Sequence, residues 1–360
     1  LTRNSGCTTC VMQCTRRVLV DEKDVKGPEL ETLGLLGPNI MNDNLDAIIK
    51  WNFEIDELGM DAISTAGTLA FAMELQEKGL FDSGLEFGKI DNISEMLHKI
   101  AHREGAGDEL ANGTRKMAEK FGGMEFAIQS KGMELSAYEP RKAVGQGLGY
   151  ATSNRGGCHL NAGYLVFIEG LGLDIDSLTP NGKGALCVMF QNLMEAVSAS
   201  GTCLFTSYPV FPGYVFDNPN APITKVVTAA MPHLGPVVKL MNKYGMVLQL
   251  NIPLIPHPKA VHYATGMRMN LGKFLIAGER GYNTERVSNI ILGQKPGADT
   301  LPKRLTDTLQ DENNPMTKVP LDVMLKSYYA NRTWENGVPL RKRLKTLKID
   351  MPSYEAYPYD

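Results

Sequence analysis

Three of the chain's six cysteines, Cys7, Cys10 and Cys14, fall within one eight-residue window spaced C-x2-C-x3-C. A cubane iron–sulfur cluster needs thiolates crowded into one short stretch, with one more supplied from elsewhere. Gly6, directly before the first cysteine, gives the backbone freedom to turn several thiols toward one centre. The spacing differs from the ferredoxin run C-x2-C-x2-C-x3-C-P and from a two-pair zinc ribbon. It also reverses the C-x3-C-x2-C order of radical enzymes that cleave S-adenosylmethionine. Half a zinc site, or three free thiols, is the plain alternative, and the cluster reading needs a fourth cysteine downstream. Cys203, following Ser198-Ala199-Ser200-Gly201-Thr202, is the first candidate. Cys158 and Cys187 compete, each otherwise a small buried apolar side chain.

A chain of 360 residues can bury a large core and divide into two domains. Its net charge of −3 and 43% apolar content are ordinary for a globular protein, and no long basic patch points to nucleic acid. The basic residues Arg341, Lys342, Arg343, Lys345 and Lys348 read as a solvated helix face. No apolar run reaches the ~18 residues of a membrane span; Tyr164-Leu165-Val166-Phe167-Ile168 is stopped by Glu169. The lack of a signal peptide and the sparse cysteines fit a reducing cytoplasm rather than a disulfide scaffold. The chain starts at Leu1 rather than Met, with the cysteine motif almost at once, so a preceding N-terminal part is expected.

After the cysteine window, Gly27-Pro28 marks a turn, and Glu31 follows among Leu30, Leu33, Leu35 and Leu36. That carboxylate is either turned out to solvent, which the local residues favour taken alone, or buried. Asn44 to Leu58 has helical apolar spacing, with Asn44 as N-cap and Gly59 as stop. Asp61 can cap the next helix, Ala62 to Leu80, whose small residues permit close approach by a neighbour or ligand. Further helices are expected over Ile93 to Glu104 and Asp108 to Phe121, broken around Gly105 and Gly107. His98 and His102, four apart without an H-E-x-x-H pattern, read as a solvated face rather than a metal site. The stretch Phe126 to Tyr164 reads as rich in turns, and Gly145/Gly147/Gly149 lacks the spacing of a nucleotide loop. Ala185 to Ala199 is helical again. With no strong strand alternation, the fold is expected to be mainly α.

Taken together, several stretches resemble the tungsten-containing aldehyde:ferredoxin oxidoreductase family. They are Cys7-x2-Cys10-x3-Cys14, Gly27-Pro28-Glu29-Leu30-Glu31-Thr32, and Asp56-Glu57-Leu58-Gly59-Met60-Asp61 with Ser64-Thr65. Further on come Ala151-Thr152-Ser153-Asn154-Arg155-Gly156-Gly157-Cys158-His159, Gly278-Glu279-Arg280, Asp299 to Arg304, and Tyr328 to Trp334. They run in the family's order over nearly the whole chain.

The resemblance implies two mainly helical domains, 1–130 like the family's domain 2 and 131–360 like its domain 3, without the family's N-terminal β domain. It implies tungsten, or molybdenum in its place, held by the dithiolenes of two pterins. It also implies a [4Fe–4S] cluster on Cys7, Cys10, Cys14 and Cys203. Two segments would hold the pterins. Asp56, Gly59, Met60 and Asp61 match the first, with Met for Leu. In the second, Ser198, Gly201 and Thr202 stand before Cys203, with Thr for Leu, and Ser198 offers a hydroxyl where the family has a carboxylate. Glu31 and His159 align with a glutamate and a histidine near the metal. Both glycines would let backbone N–H groups approach the pterins. The implied activity is oxidation of a small aldehyde to a carboxylic acid, with electrons passed to ferredoxin or a similar acceptor. The chain would then be a homodimer or a subunit of a larger complex. A relative acting on aromatic acyl-thioesters and a non-catalytic iron–sulfur electron-transfer subunit are the alternatives.

Overall fold

The computed structural model describes residues 1–10, 12–171, 176–206, 218, 220–230, 233 and 255–349. They divide between two compact units, Leu1–Ala137 and Tyr138–Asp360. The chain is mainly α, as expected.

The first unit opens with an antiparallel sheet of β1 (Arg3–Ser5), β2 (Thr15–Val20) and β3 (Lys23–Lys26), in register Arg3↔Arg17 and Val18↔Val25. This sheet departs from the sequence reading, for two reasons. Only Val18 and Val20 alternate inward, too short a pattern to recognise. The β2–β3 turn puts Asp21 and Glu22 at φ 47° and 65°, a two-residue hairpin turn made without the usual Asn-Gly signal. The cysteine window forms the β1–β2 connection.

Helices α1 (Leu30–Leu36), α2 (Leu45–Glu57), α3 (Ala62–Glu77), α4 (Ile93–His102), α5 (Ala106–Leu110) and α6 (Gly113–Phe121) enclose a core that includes Leu36, Ile40, Ile55, Leu69 and Leu75. Both expected caps form: Ala47 N–H donates to Asn44 Oδ1 at 3.1 Å and Ser64 N–H to Asp61 Oδ2 at 2.7 Å. The single helix expected over Asp108 to Phe121 is instead two. Glu134, on the β4 (Gln129–Ser130)–β5 (Met133–Glu134) hairpin, accepts Thr114 N–H at 2.8 Å and starts a fresh helix there. No local pattern announces a cap that lies twenty residues downstream.

In the second unit, α7 (Val144–Thr152) lies fully buried inside the stretch that reads as turns. Its glycines permit this. A Cβ on Gly145 would meet Glu169 Oε1 at 2.6 Å, and one on Gly149 would meet the Ala162 carbonyl at 2.4 Å. Glu169, on the π-turn Phe167–Leu171, accepts the Gly145 and Gln146 N–H groups at the start of α7 and pairs with buried Lys183. Then come α8 (Lys183–Ala199), α9 (Pro222–Ala230), α10 (His257–Thr265), α11 (Leu271–Ile291), α12 (Lys303–Thr306) and α13 (Leu321–Arg332). A small hairpin, β6 (Trp334–Glu335) and β7 (Val338–Pro339), precedes α14 (Arg341–Thr346). Helices α8 and α11 touch backbone to backbone, since a Cβ on Gly278 would fall 1.8 Å from the Asn192 carbonyl. The basic run is not wholly a solvated face: Arg343 is buried and donates to Glu279 at 2.8 Å. His98 and His102 are exposed, as expected.

Arg286, fully buried, donates to Asn154 Oδ1 at 2.8 Å, the Thr152 carbonyl at 2.6 Å and Asp299 at 2.9 Å. Asp299 also accepts Tyr329 O–H at 2.9 Å. Breaking such a pair by removing one charge leaves the other buried and uncompensated, at a cost of ~3–5 kcal/mol. Asp299→Asn is therefore expected to lower the second unit's unfolding free energy by about that amount in denaturant titration. Asp307→Asn, at an exposed site, should change it by less than ~0.5 kcal/mol.

Candidate redox-cofactor site

In the first unit, Cys7 and Cys14 are exposed and Cys10 half-buried, all as free thiols. Cys10 N–H donates to the Cys7 carbonyl at 3.0 Å, so the loop is already turned on itself. Among the described residues, no group of three or more His, Cys, Asp or Glu side chains is placed to hold a metal ion. The donor set nevertheless fits a cluster: free thiols on one short exposed connection between paired strands. Lys26, a residue the sequence reading passed over, stands beside this loop. Its ammonium pairs with Glu29 at 2.8 Å, and that bond, then the charges of Asp56 and Cys14, raise its pKa against the opposing pull of burial. Asn52 donates to the Lys26 carbonyl at 3.2 Å and ties β3 to α2.

The two glycine segments are the same local structure. Helix α2 ends with Gly59 at φ 70°, Met60 N–H donating to the Ile55 carbonyl at 3.0 Å and Gly59 N–H to Asp56 at 3.2 Å. Helix α8 ends with Gly201 at φ 70°, Thr202 N–H donating to Val197 at 3.4 Å and Gly201 N–H to Ser198 at 3.0 Å. Both are Schellman caps, which need a left-handed residue where a side chain would cost strain. The N–H groups of both glycines are committed inside the cap. What each cap offers is open space, with nothing within 4 Å of a Cβ built on either glycine, beside the exposed side chain of Asp56 or Ser198. The Met-for-Leu and Thr-for-Leu exchanges also acquire reasons. Met60 packs on the first unit's core, as the position after a Schellman glycine commonly does. Thr202 instead donates its hydroxyl to the Val197 carbonyl at 3.1 Å. Gly79 ends α3 in the same manner, so the cap alone is no binding signature. The side chains that follow distinguish the two segments: Asp61, whose Oδ2 caps α3, and Cys203, which caps nothing among the described residues and is exposed.

Glu31 is half-buried on the first turn of α1; Leu30 points to solvent with 54% exposure, so the leucine surround expected there is incomplete. His159 is half-buried in the second unit, with its ring centroid 5.6 Å from Tyr138 and 5.9 Å from Tyr164. The two phenol oxygens are 3.1 Å apart, and Phe167 stacks on Tyr164. Tyr164 holds φ 52°, a strained conformation for an aromatic residue, and the turn from His159 enforces it: Tyr164 N–H donates to the His159 carbonyl at 3.1 Å. These aromatic neighbours were not legible in the sequence, since nothing in the spacing of Tyr138, His159 and Tyr164 marks them as partners.

Cys203 opens a short turn closed by Thr206, whose hydroxyl donates to the Cys203 carbonyl at 2.5 Å and lies 2.8 Å from His257 Nε2. Burial lowers the His257 pKa. Cys187, the competing thiol, is sealed in the core, and burial pushes its pKa up to about 12.

Residues 1–349 match the family model for aldehyde ferredoxin oxidoreductase, domains 2 and 3, and the chain belongs to that family. It is 36% identical over 97% of its length to the tungsten-containing aldehyde ferredoxin oxidoreductase of Pyrococcus horikoshii and 35% identical to that of Pyrococcus furiosus. The chain spans about half the length of these relatives, 53% of each. Among solved structures, the active site complex BamBC of benzoyl coenzyme A reductase matches 97% of this chain and 53% of its own, with TM-score 0.59 and 21% identity, a likeness of fold. Among the described residues no helix is long and apolar enough to cross a membrane.

The burial of the thiols predicts their reactivity. In metal-free native protein, iodoacetamide at pH 8 should modify Cys7, Cys14 and Cys203 and leave Cys187 intact until the protein is denatured. Peptide mass mapping reads the outcome, and labelling of native Cys187 would contradict the buried placement.

Proposed function

We propose that this chain is the cofactor-holding part of an oxidoreductase that converts a small aldehyde to a carboxylic acid and delivers two electrons to ferredoxin or a similar acceptor. One observation carries the reading: the 36% identity to a tungsten-containing aldehyde ferredoxin oxidoreductase extends over 97% of the chain. Both glycine caps, the thiol loop, Glu31 and His159 lie within the residues matched by the family model. Asp56 and Asp61 at one cap, Ser198 and Thr202 at the other, would hold two pterins carrying tungsten or molybdenum. Cys7, Cys10, Cys14 and Cys203 would hold a [4Fe–4S] cluster. When bound, these groups supply the two-electron redox chemistry and the electron exit.

The net reaction takes aldehyde and water to carboxylic acid, two protons and two electrons. Glu31 accepts a proton from the attacking water at its carboxylate oxygen. His159 donates a ring N–H to the substrate oxygen, where negative charge grows. Tyr138 and Tyr164, in contact with each other, both pack against the imidazole, so the donor is held before substrate arrives. In Cys203→Ser, by this reading, the iron and sulfide of the anaerobically purified full-length protein are lost, whereas Cys187→Ser keeps them.

Glu31→Gln keeps the shape and removes the base, so aldehyde-dependent viologen reduction by the full-length protein should fall ~100-fold or more. His159→Asn should lower turnover without emptying the metal site. Tungsten, molybdenum and iron are measured in each variant. Near-normal turnover of Glu31→Gln at full metal loading would remove Glu31 from the mechanism.

A further inference from the structure

Cys203 stands just beyond the end of α8, exposed, with no helix or strand of its own to hold it. A thiolate that must meet a cluster needs its backbone fixed, because second-shell contacts decide how firmly a ligand is presented. The fixing contact here is a short relay. The Cys203 carbonyl accepts two bonds from Thr206, from its N–H at 3.1 Å and from its hydroxyl at 2.5 Å. Thr206 has one hydroxyl proton, and the carbonyl takes it. The 2.8 Å contact between Thr206 Oγ1 and His257 Nε2 must therefore be made by an imidazole N–H donating to the hydroxyl oxygen. Proton counting so places a proton on His257 Nε2. Nδ1 is then the bare nitrogen, since it is buried with no hydrogen-bond partner among the described residues, a place where a bare acceptor is tolerated better than an unpaired N–H.

The ring itself is rigidly placed. His257 is the first residue of α10, 3% exposed, and stacks on Phe274 at 5.9 Å. Leu204, next to Cys203, packs on the same apolar cluster of Leu193, Val197, Leu271 and Phe274. Helices α8, α10 and α11 thus grip the turn from behind.

We propose that His257, acting through Thr206, is a positioning residue that presents the Cys203 thiolate to the iron–sulfur cluster. This rests on the reading of Cys203 as the fourth ligand. The relay leaves the sulfur outward and immobilises only the carbonyl, so it governs how long iron is retained and the cluster's electronic environment, beyond whether the chain folds.

The test uses the anaerobically purified, cluster-loaded full-length protein, with far-UV circular dichroism to confirm folding. Iron release to a chelator is followed in time, and the reduced cluster is examined by electron paramagnetic resonance during a redox titration. His257→Phe keeps the ring and removes the donor; Thr206→Val removes the relay oxygen. Both should release iron ~10–100-fold faster than the parent and shift the cluster's midpoint potential. His257→Gln, which can still donate an N–H at about the Nε2 position, should recover most of the loss. Parent-like iron retention and potential in His257→Phe would overturn the proposal. So would equal damage in His257→Phe and His257→Gln, which indicates packing alone. Cys203→Ser separates the two levels. If it keeps full iron, the ligand assignment falls and the proposal with it. If it loses iron while His257→Phe behaves as the parent, only the role of His257 falls.

Discussion

The buried guanidinium of Arg286 is the interaction on which the second unit depends. An ionised side chain with no access to water is tolerated only when its donors are satisfied and its charge is countered. Arg286 meets that condition by collecting the Thr152 carbonyl at the end of α7, the Asn154 amide in the loop leading to His159, and the Asp299 carboxylate. Its flat face lies 4.8 Å from the Trp334 ring. Four separate stretches of chain are therefore required at one point, and the demand is mutual: Asp299 is as deeply buried as its partner. Arg332, also buried, is handled differently. It donates to the side-chain amides of Gln191 and Asn192 on α8 and lies over Tyr282 at 4.2 Å, so among the described residues dipoles and an aromatic face take the place of a contacting carboxylate.

This polar core explains how the loop from Asn154 to Asn161 keeps its shape with little regular structure. Asn154 donates to the Tyr282 carbonyl at 2.9 Å, while Asn161 accepts from Ser153 and from the Asn154 N–H. Both amides also reach Glu285. A loop so tethered can hold Tyr164 in a costly left-handed conformation and seat His159 against two tyrosines. The strain is affordable because the tethers over-determine the turn.

The glycine caps of α2 and α8 illustrate economy of a different kind. A Schellman cap satisfies the last carbonyls of a helix and bends the chain sharply away, so the residues just after it project from the helix end. Asp61 uses that position to start α3, and Cys203 uses it to stand exposed. One backbone device therefore supports two outcomes, chosen by the side chain that follows the glycine.

What could be read from the residues alone was whatever local chemistry specifies. The thiol window, the caps at Asn44 and Asp61, the glycine stops and the helical character of most of the chain all depend on neighbours within a few positions. The family resemblance extended that reading to Glu31 and His159, neither of which carries a local mark, and singled out Cys203 from the other downstream cysteines. Tertiary structure decided the rest. A carboxylate on a distant hairpin split one expected helix into α5 and α6. A glycine-rich stretch became a buried helix because Glu169, Val319 and Ala162 needed to come within contact of its backbone. The sheet beside the cysteines formed around two inward valines, and the aromatic setting of His159 was assembled from residues whose spacing is arbitrary. Each of these depends on contact between segments far apart in sequence, where burial and hydrogen-bond satisfaction outweigh local preference, and no short-range pattern records such contacts.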